Sequence, residues 1–120
     1  MAVRTLRELR QEVYKKAMGP RSTFKDLEPF TRHADSESRA VLALNTRDPE
    51  ILRIQSTDPD WRVREEVAMN HFTPSETVEA LKHDKNPGVS YQAKIRLVGD
   101  SENLRMKAFH ELREALRAPS

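Results

Sequence analysis

Apolar residues recur along the middle of this chain in short bursts, three or four positions apart, and the bursts themselves repeat. Three stretches align without gaps: Asp35-SESRAVLALN-Thr46, Asp60-WRVREEVAMN-His71 and Asn86-PGVSYQAKIR-Leu97. Their starting positions, 35, 60 and 86, differ by 25 and then 26 residues. Ser38, Val63 and Val89 coincide, as do Leu42, Val67 and Ala93, and a third apolar column follows at Leu44, Met69 and Ile95. The first two columns are four residues apart, one helical turn on one face. A second set of markers, Asp48-Pro49, Thr73-Pro74 and Asp100-Ser101, falls between them at 25 and 27 residues.

Each marker has a mechanical reading. Asp35, Asp60 and Asn86 suit helix N-caps, whose side-chain oxygen accepts from a backbone N–H that the helix leaves unsatisfied. Pro87 then occupies the first helical position, where a missing N–H costs nothing. Asp48-Pro49 and Thr73-Pro74 read as the same pair opening a second helix, with Glu76 completing a capping box on Thr73. Asn45 and Asn70 follow the last apolar residue of their helices, where Asn tolerates left-handed backbone; Gly99 has that place in the third unit. The pattern predicts two helices of about two to three turns in each unit of about 25 residues. One such unit cannot bury its apolar face alone and must stack on neighbours.

The resemblance these residues carry is specific. The stretch from Asp58 through Trp61, Val63, Arg64, Val67, Ala68 and Asn70 to Thr73-Pro74 resembles the leucine-rich repeat variant family, a HEAT-like solenoid of short helix pairs with the pattern D-x-D-x-x-V-R-x-x-V-A-x-N-x-x-T-P. The match is close over residues 58–84, partial over 34–57, and weak over 84–99, where Ser90, Lys94 and Arg96 replace the pattern's Arg, Ala and Asn. The resemblance implies an all-α fold: a short right-handed α-solenoid of HEAT-like two-helix repeats with terminal capping helices. It implies a binding scaffold, with Arg39 and Arg64 pairing with Asp58 or Asp84 in a ladder that ties units together. Founding members carry a cysteine-ligated cluster; this chain has no Cys, so no redox role carries over.

The ends read as caps of a single domain, residues 1–120. Residues 1–32 supply N-terminal cap helices, 33–99 about three degenerate repeats, and 100–120 a C-terminal cap helix. Leu6, Leu9, Val13 and Ala17 share one face of the first, extended by Tyr14 and Met18. Gly19-Pro20 ends it, and a short turn around Phe24, Leu27 and Phe30 follows. Asp100 opens the last helix, with Leu104, Ala108, Phe109, Leu112 and Leu116.

Composition changes this picture in one respect. The 21 Lys+Arg and 19 Asp+Glu give a net charge of +2, but residues 1–21 hold six cations against two acids and the rest 15 against 17. The excess is one helix at +4 on a body of −2, unlike a protein that coats nucleic acid with a uniformly basic surface. The absence of Cys excludes disulfides, thiolate metal sites and a Cys nucleophile. No apolar run approaches the ~20 residues of a membrane span, and no signal-peptide centre interrupts the charged start. A soluble, cytoplasmic protein is expected, without membrane partners.

Candidate chemistry is sparse. His33, His71, His83 and His110 form no metal-ligand pair, and are read as solvated or capping side chains. The carboxylates are mostly caps, and no phosphate loop, nucleophile elbow or dinucleotide fingerprint occurs. No catalytic residue, metal or cofactor is assigned, so an enzyme is not expected. The leading expectation is a non-catalytic protein-binding scaffold whose candidate contacts are Arg53, Trp61, Arg62, Glu65 and Glu66, with self-association open to so short a solenoid. Trp61 also reads simply as packing over the preceding turn. The alternative is a nucleic-acid-binding module using Arg4, Arg7, Arg10, Lys15, Lys16 and Arg21. Against it stands a cap helix whose basic face meets water. A base-excision glycosylase, a DNA-cradling enzyme among HEAT-like solenoids, ranks third, since that activity needs a carboxylate beside aromatic residues.

Overall fold

The computed structural model describes residues 5–99, 110 and 113–117. It is all-helical, and no strand occurs among these residues. In chain order the helices are α1 (Leu6–Met18), α2 (Phe24–Leu27), a 3-10 turn (Glu28–Arg32), α3 (Ser36–Asn45), α4 (Pro49–Gln55), α5 (Trp61–Met69), α6 (Ser75–Leu81) and α7 (Pro87–Gly99). Residues 113–117 are helical, with Leu116 exposed. The remaining C-terminal expectations, the Asp100-Ser101 cap with Leu104, Ala108, Phe109 and Leu112, lie outside the described residues, as does Arg4.

Caps set most of the boundaries. Asp35 accepts from the Ser38 N–H at 3.0 Å, Asp48 from Glu50 at 2.9 Å, Asp60 from Arg62 at 2.9 Å and Asn86 from Gly88 at 2.8 Å. Each satisfies a donor that the first turn leaves open. Thr5 caps α1, and Thr23 with Asp26 forms a reciprocal box on α2. One expected cap is absent: α6 begins at Ser75 with no side-chain cap, and the Thr73 hydroxyl donates instead to the Val67 carbonyl at 2.7 Å. That bond turns the chain back on α5 at its C-terminal end.

The long helices α1, α3, α5 and α7 pack side by side in a row, and α2 with its 3-10 turn, α4 and α6 lie against that row as a second layer. Ser38, Val63 and Val89 are fully buried, and so are Leu42, Val67 and Ala93. The core has two parts. Leu9, Val13, Ala17, Leu27, Leu42 and Ile51 fill the N-terminal one; Ala43, Leu52, Val63, Val67, Val78 and Val89 lead the other. Adjacent Ile51 and Leu52 of α4 serve one part each, joining the two. Each Leu, Ile or Val among them contributes about 1.5–3 kcal/mol by leaving water.

Leu6 is 54% exposed, so the buried stripe of α1 starts at Leu9. Leu44, Met69 and Ile95 are also exposed, at 55%, 45% and 46%. Each lies two residues, about 200°, beyond a buried Leu42, Val67 or Ala93, and so on the opposite side of its helix. The third apolar column is therefore a surface feature.

Candidate binding surface

Three bidentate ion pairs hold the row together at its N-terminal end. Arg39 places Nε 2.8 Å and Nη2 3.2 Å from the two carboxylate oxygens of Asp58. Arg64 repeats this on Asp84 at 2.8 and 3.1 Å. The remaining nitrogen donates backward in each case, Arg39 to the His33 carbonyl at 2.6 Å and Arg64 to that of Asp58 at 2.8 Å. Each guanidinium thus bridges the turn before its own helix and the turn before the next, using the planar fork that Lys lacks. Arg10 makes a third pair, on Asp35, at 3.0 and 3.2 Å. This pair was not expected from the repeat, because Arg10 lies outside the aligned units. Asp35 takes the role of the missing Asp because His33 stands where Asp58 and Asp84 stand; His33 Nδ1 accepts from the Asp35 N–H at 3.0 Å, just as Asp58 accepts from Asp60.

The carboxylates respond. The Arg10 guanidinium, with Ser38, holds Asp35 well below the usual carboxylate range. Asp60 is lowered chiefly by the Arg62 N–H. For Asp84, burial pushes upward, but hydrogen bonds from Arg64 and Asn86 together leave it lowered.

At the C-terminal end, amide and guanidinium groups replace ion pairs. Asn70 is buried, and its Nδ2 donates to the carbonyls of Ala43 and Thr46, both at 2.8 Å, linking α5 to the end of α3. It takes extended backbone (φ −78°, ψ 126°), not the left-handed form expected of it. Asn45 is helical, and its amide donates to Val41 at 2.8 Å in its own helix. No described residue, glycine included, has positive φ. Arg96, which departs from the pattern's Asn, reaches the same place one unit later: its guanidinium donates to Asn70 O and, at 2.7 Å, to His71 O. The link between α1 and α3 has no counterpart of this kind among the described hydrogen bonds.

The exposed side of the row carries two chemistries. Its N-terminal half is charged: Arg62 and Glu66 line a hollow of about 190 Å³ with Ser36, Glu37, Ala40 and Asp60. One oxygen of Glu66 is buried without a hydrogen-bond partner, and burial, then Glu65, push this carboxyl up. Trp61 is 42% exposed, with the Arg62 guanidinium 5.7 Å from its ring. The C-terminal half is apolar: Met18, Leu44, Met69 and Phe72 line a hollow of about 300 Å³ with Asn45, Thr46, Arg47, Asn70 and His71.

Of the five expected contacts, Arg62, Glu65 and Glu66 therefore share one side of α5, with Trp61 beside them. Arg53 is placed elsewhere, in the second layer, paired with Glu50 of α4 and at 2.8 Å with Glu76 of α6. Of the expected nucleic-acid contacts, Arg7, Lys15, Lys16 and Arg21 are exposed, whereas Arg10 is engaged by Asp35. The apolar hollow was missed, although its signal was present: a third apolar column that one helix face cannot bury together with the first two.

Among the described residues no cluster of His, Asp or Glu could hold a metal ion, and no helix is long and apolar enough to cross a membrane. No family model matches the chain, and neither a curated protein nor a solved structure matches it.

Proposed function

We propose that this chain is a non-catalytic protein-binding scaffold: a short right-handed α-solenoid of HEAT-like two-helix units of the leucine-rich repeat variant kind. The observation that carries this reading is the recurrence of one joint between successive row helices. Arg39 on Asp58 and Arg64 on Asp84 have the same geometry, down to the backward hydrogen bond. Identical joints give regularly spaced helices, and their outer face then offers side chains at fixed intervals to a partner. Solvent-exposed Trp61, Arg62, Leu44 and Met69 on that row support the reading, since aromatic, Arg and Met side chains are enriched where proteins meet.

The alternative, a nucleic-acid-binding module, draws on Arg7, Lys15, Lys16 and Arg21. Engagement of Arg10 by Asp35 leaves it fewer free cations than the sequence promised.

Capture from the lysate of the source cells on the immobilised full chain, with Arg62→Glu and Met69→Asp as surface variants, tests the scaffold. A protein retained by the parent chain and lost from either variant is the expected result. Retention of nucleic acid alone, released between ~50 and 200 mM salt and abolished by changing Lys15, Lys16 and Arg21 to Ala, would favour the alternative.

A further inference from the structure

The apolar hollow has a charge of its own. Met18 of α1, Leu44 of α3 and Met69 of α5 meet there with Phe72, and Arg47 and His71 complete its rim. None of its lining residues is a carboxylate. Arg47 stands with its guanidinium 6.0 Å from the Phe72 ring and has no salt bridge among the described residues. Exposed Lys15 lies in the last turn of α1, the helix that contributes Met18, whereas Lys16 turns away to stand 6.0 Å from the Phe30 ring. The opposite half of the same face carries Glu37, Glu65 and Glu66 around the single cation Arg62.

We propose that this hollow receives the apolar anchors of an acidic amphipathic helix from another protein, lying across the row with its carboxylates toward Arg47. This rests on the scaffold reading and names its partner's chemistry. Packed helices stand about 8–10 Å apart, so Leu44, Met69 and Ile95 recur at nearly that interval. A helix rises about 10.5 Å in seven residues, so apolar residues at i, i+7 and i+14 match successive rungs of this column. Charge then fixes the direction. An acidic edge along the C-terminal ends of α1, α3 and α5 meets cations, and the same edge turned around meets Glu65 and Glu66. A desolvated apolar anchor beside a complementary charge is the arrangement that concentrates binding energy in few residues.

The probe is a labelled three-heptad helical peptide with Leu at i, i+7 and i+14 and Glu along one flanking edge, compared with a twin carrying Lys along that edge. Fluorescence anisotropy with the full chain should show the Glu peptide binding at least tenfold more tightly than its twin. Leu44→Ser with Met69→Ser should weaken it tenfold or more, with the helical circular dichroism unchanged because both positions are exposed. Arg47→Glu should weaken the Glu peptide and strengthen the Lys twin. Equal binding of the two peptides, indifference to Leu44 and Met69, or displacement of the peptide by duplex DNA overturns the proposal. If neither peptide binds while a captured protein is still lost on Arg62→Glu, this hollow is wrong and the scaffold stands. If no protein is captured either, both fail.

Discussion

Asn70 does at one residue what a turn of backbone does elsewhere. Its amide closes two carbonyls at the end of α3, and its own carbonyl is closed by Arg96 from α7. Asn70→Ala leaves the Ala43 and Thr46 carbonyls without that donor, and a buried polar group left unpaired costs about 1–3 kcal/mol. A urea titration should show that loss with an unchanged m-value. Asn70→Asp should be at least as damaging, since a carboxylate cannot donate to a carbonyl. The helix-end position of Asn70 was readable from sequence. Its real task was not, because the carbonyls it serves are 24 and 27 residues away and no local pattern encodes them. Arg96 was hidden for a related reason: Arg and Asn share no shape, only N–H groups that reach one equivalent carbonyl, that of Thr46 from Asn70 and that of His71 from Arg96.

Among elements, the joints differ in how deeply they are buried, and their contributions should follow. Arg64 and Asp84 are each 8% exposed, Arg39 and Asp58 12% and 4%, and Arg10 and Asp35 34% and 14%. Removing one partner of a buried pair strands the other charge, whereas an exposed pair is screened by water. Arg64→Ala should cost about 2–3 kcal/mol, short of the ~3–5 of a fully buried pair, with Arg39→Ala close to it and Arg10→Ala distinctly smaller. Thermal unfolding of the three variants checks the order; Arg10→Ala as the most damaging would contradict it. The Arg39 and Arg64 joints were legible in the repeat, because position and partner recur together. The α1 joint was not, since His33 replaces the repeating Asp and the ion pair moves two residues along to Asp35.

For the molecule as a whole, stability should depend on pH through two joint carboxylates, Asp35 and Asp84, and the α5 cap Asp60. Asp35, Asp60 and Asp84 have pKa values lowered on folding. Their contribution is complete above the unfolded value of about 3.9 and is lost as pH falls through the folded ones. Glu66, raised by burial, runs the other way and costs stability above its ordinary range. The lowered groups outnumber the raised one, so the melting temperature should hold between pH 6 and 8 and fall once pH drops below about 4; a flat profile down to pH 3 would contradict the joints. The all-helical layout was legible because caps and apolar columns recur on one period. The apolar hollow becomes evident only when α1, α3 and α5 stand side by side, since Met18, Leu44 and Met69 belong to three helices.

The most direct test of a scaffold that binds through this row is chemical-shift mapping of the full chain against a captured protein partner, read at backbone amides and at Leu, Ile and Met methyls. Perturbations should concentrate on Leu44, Arg62, Met69 and Ile95, leaving Arg53, Glu76 and the rest of the second layer unmoved. Perturbations confined to α4 and α6, or a response to duplex DNA centred on Arg7, Lys15 and Arg21 with none to the protein, would contradict it.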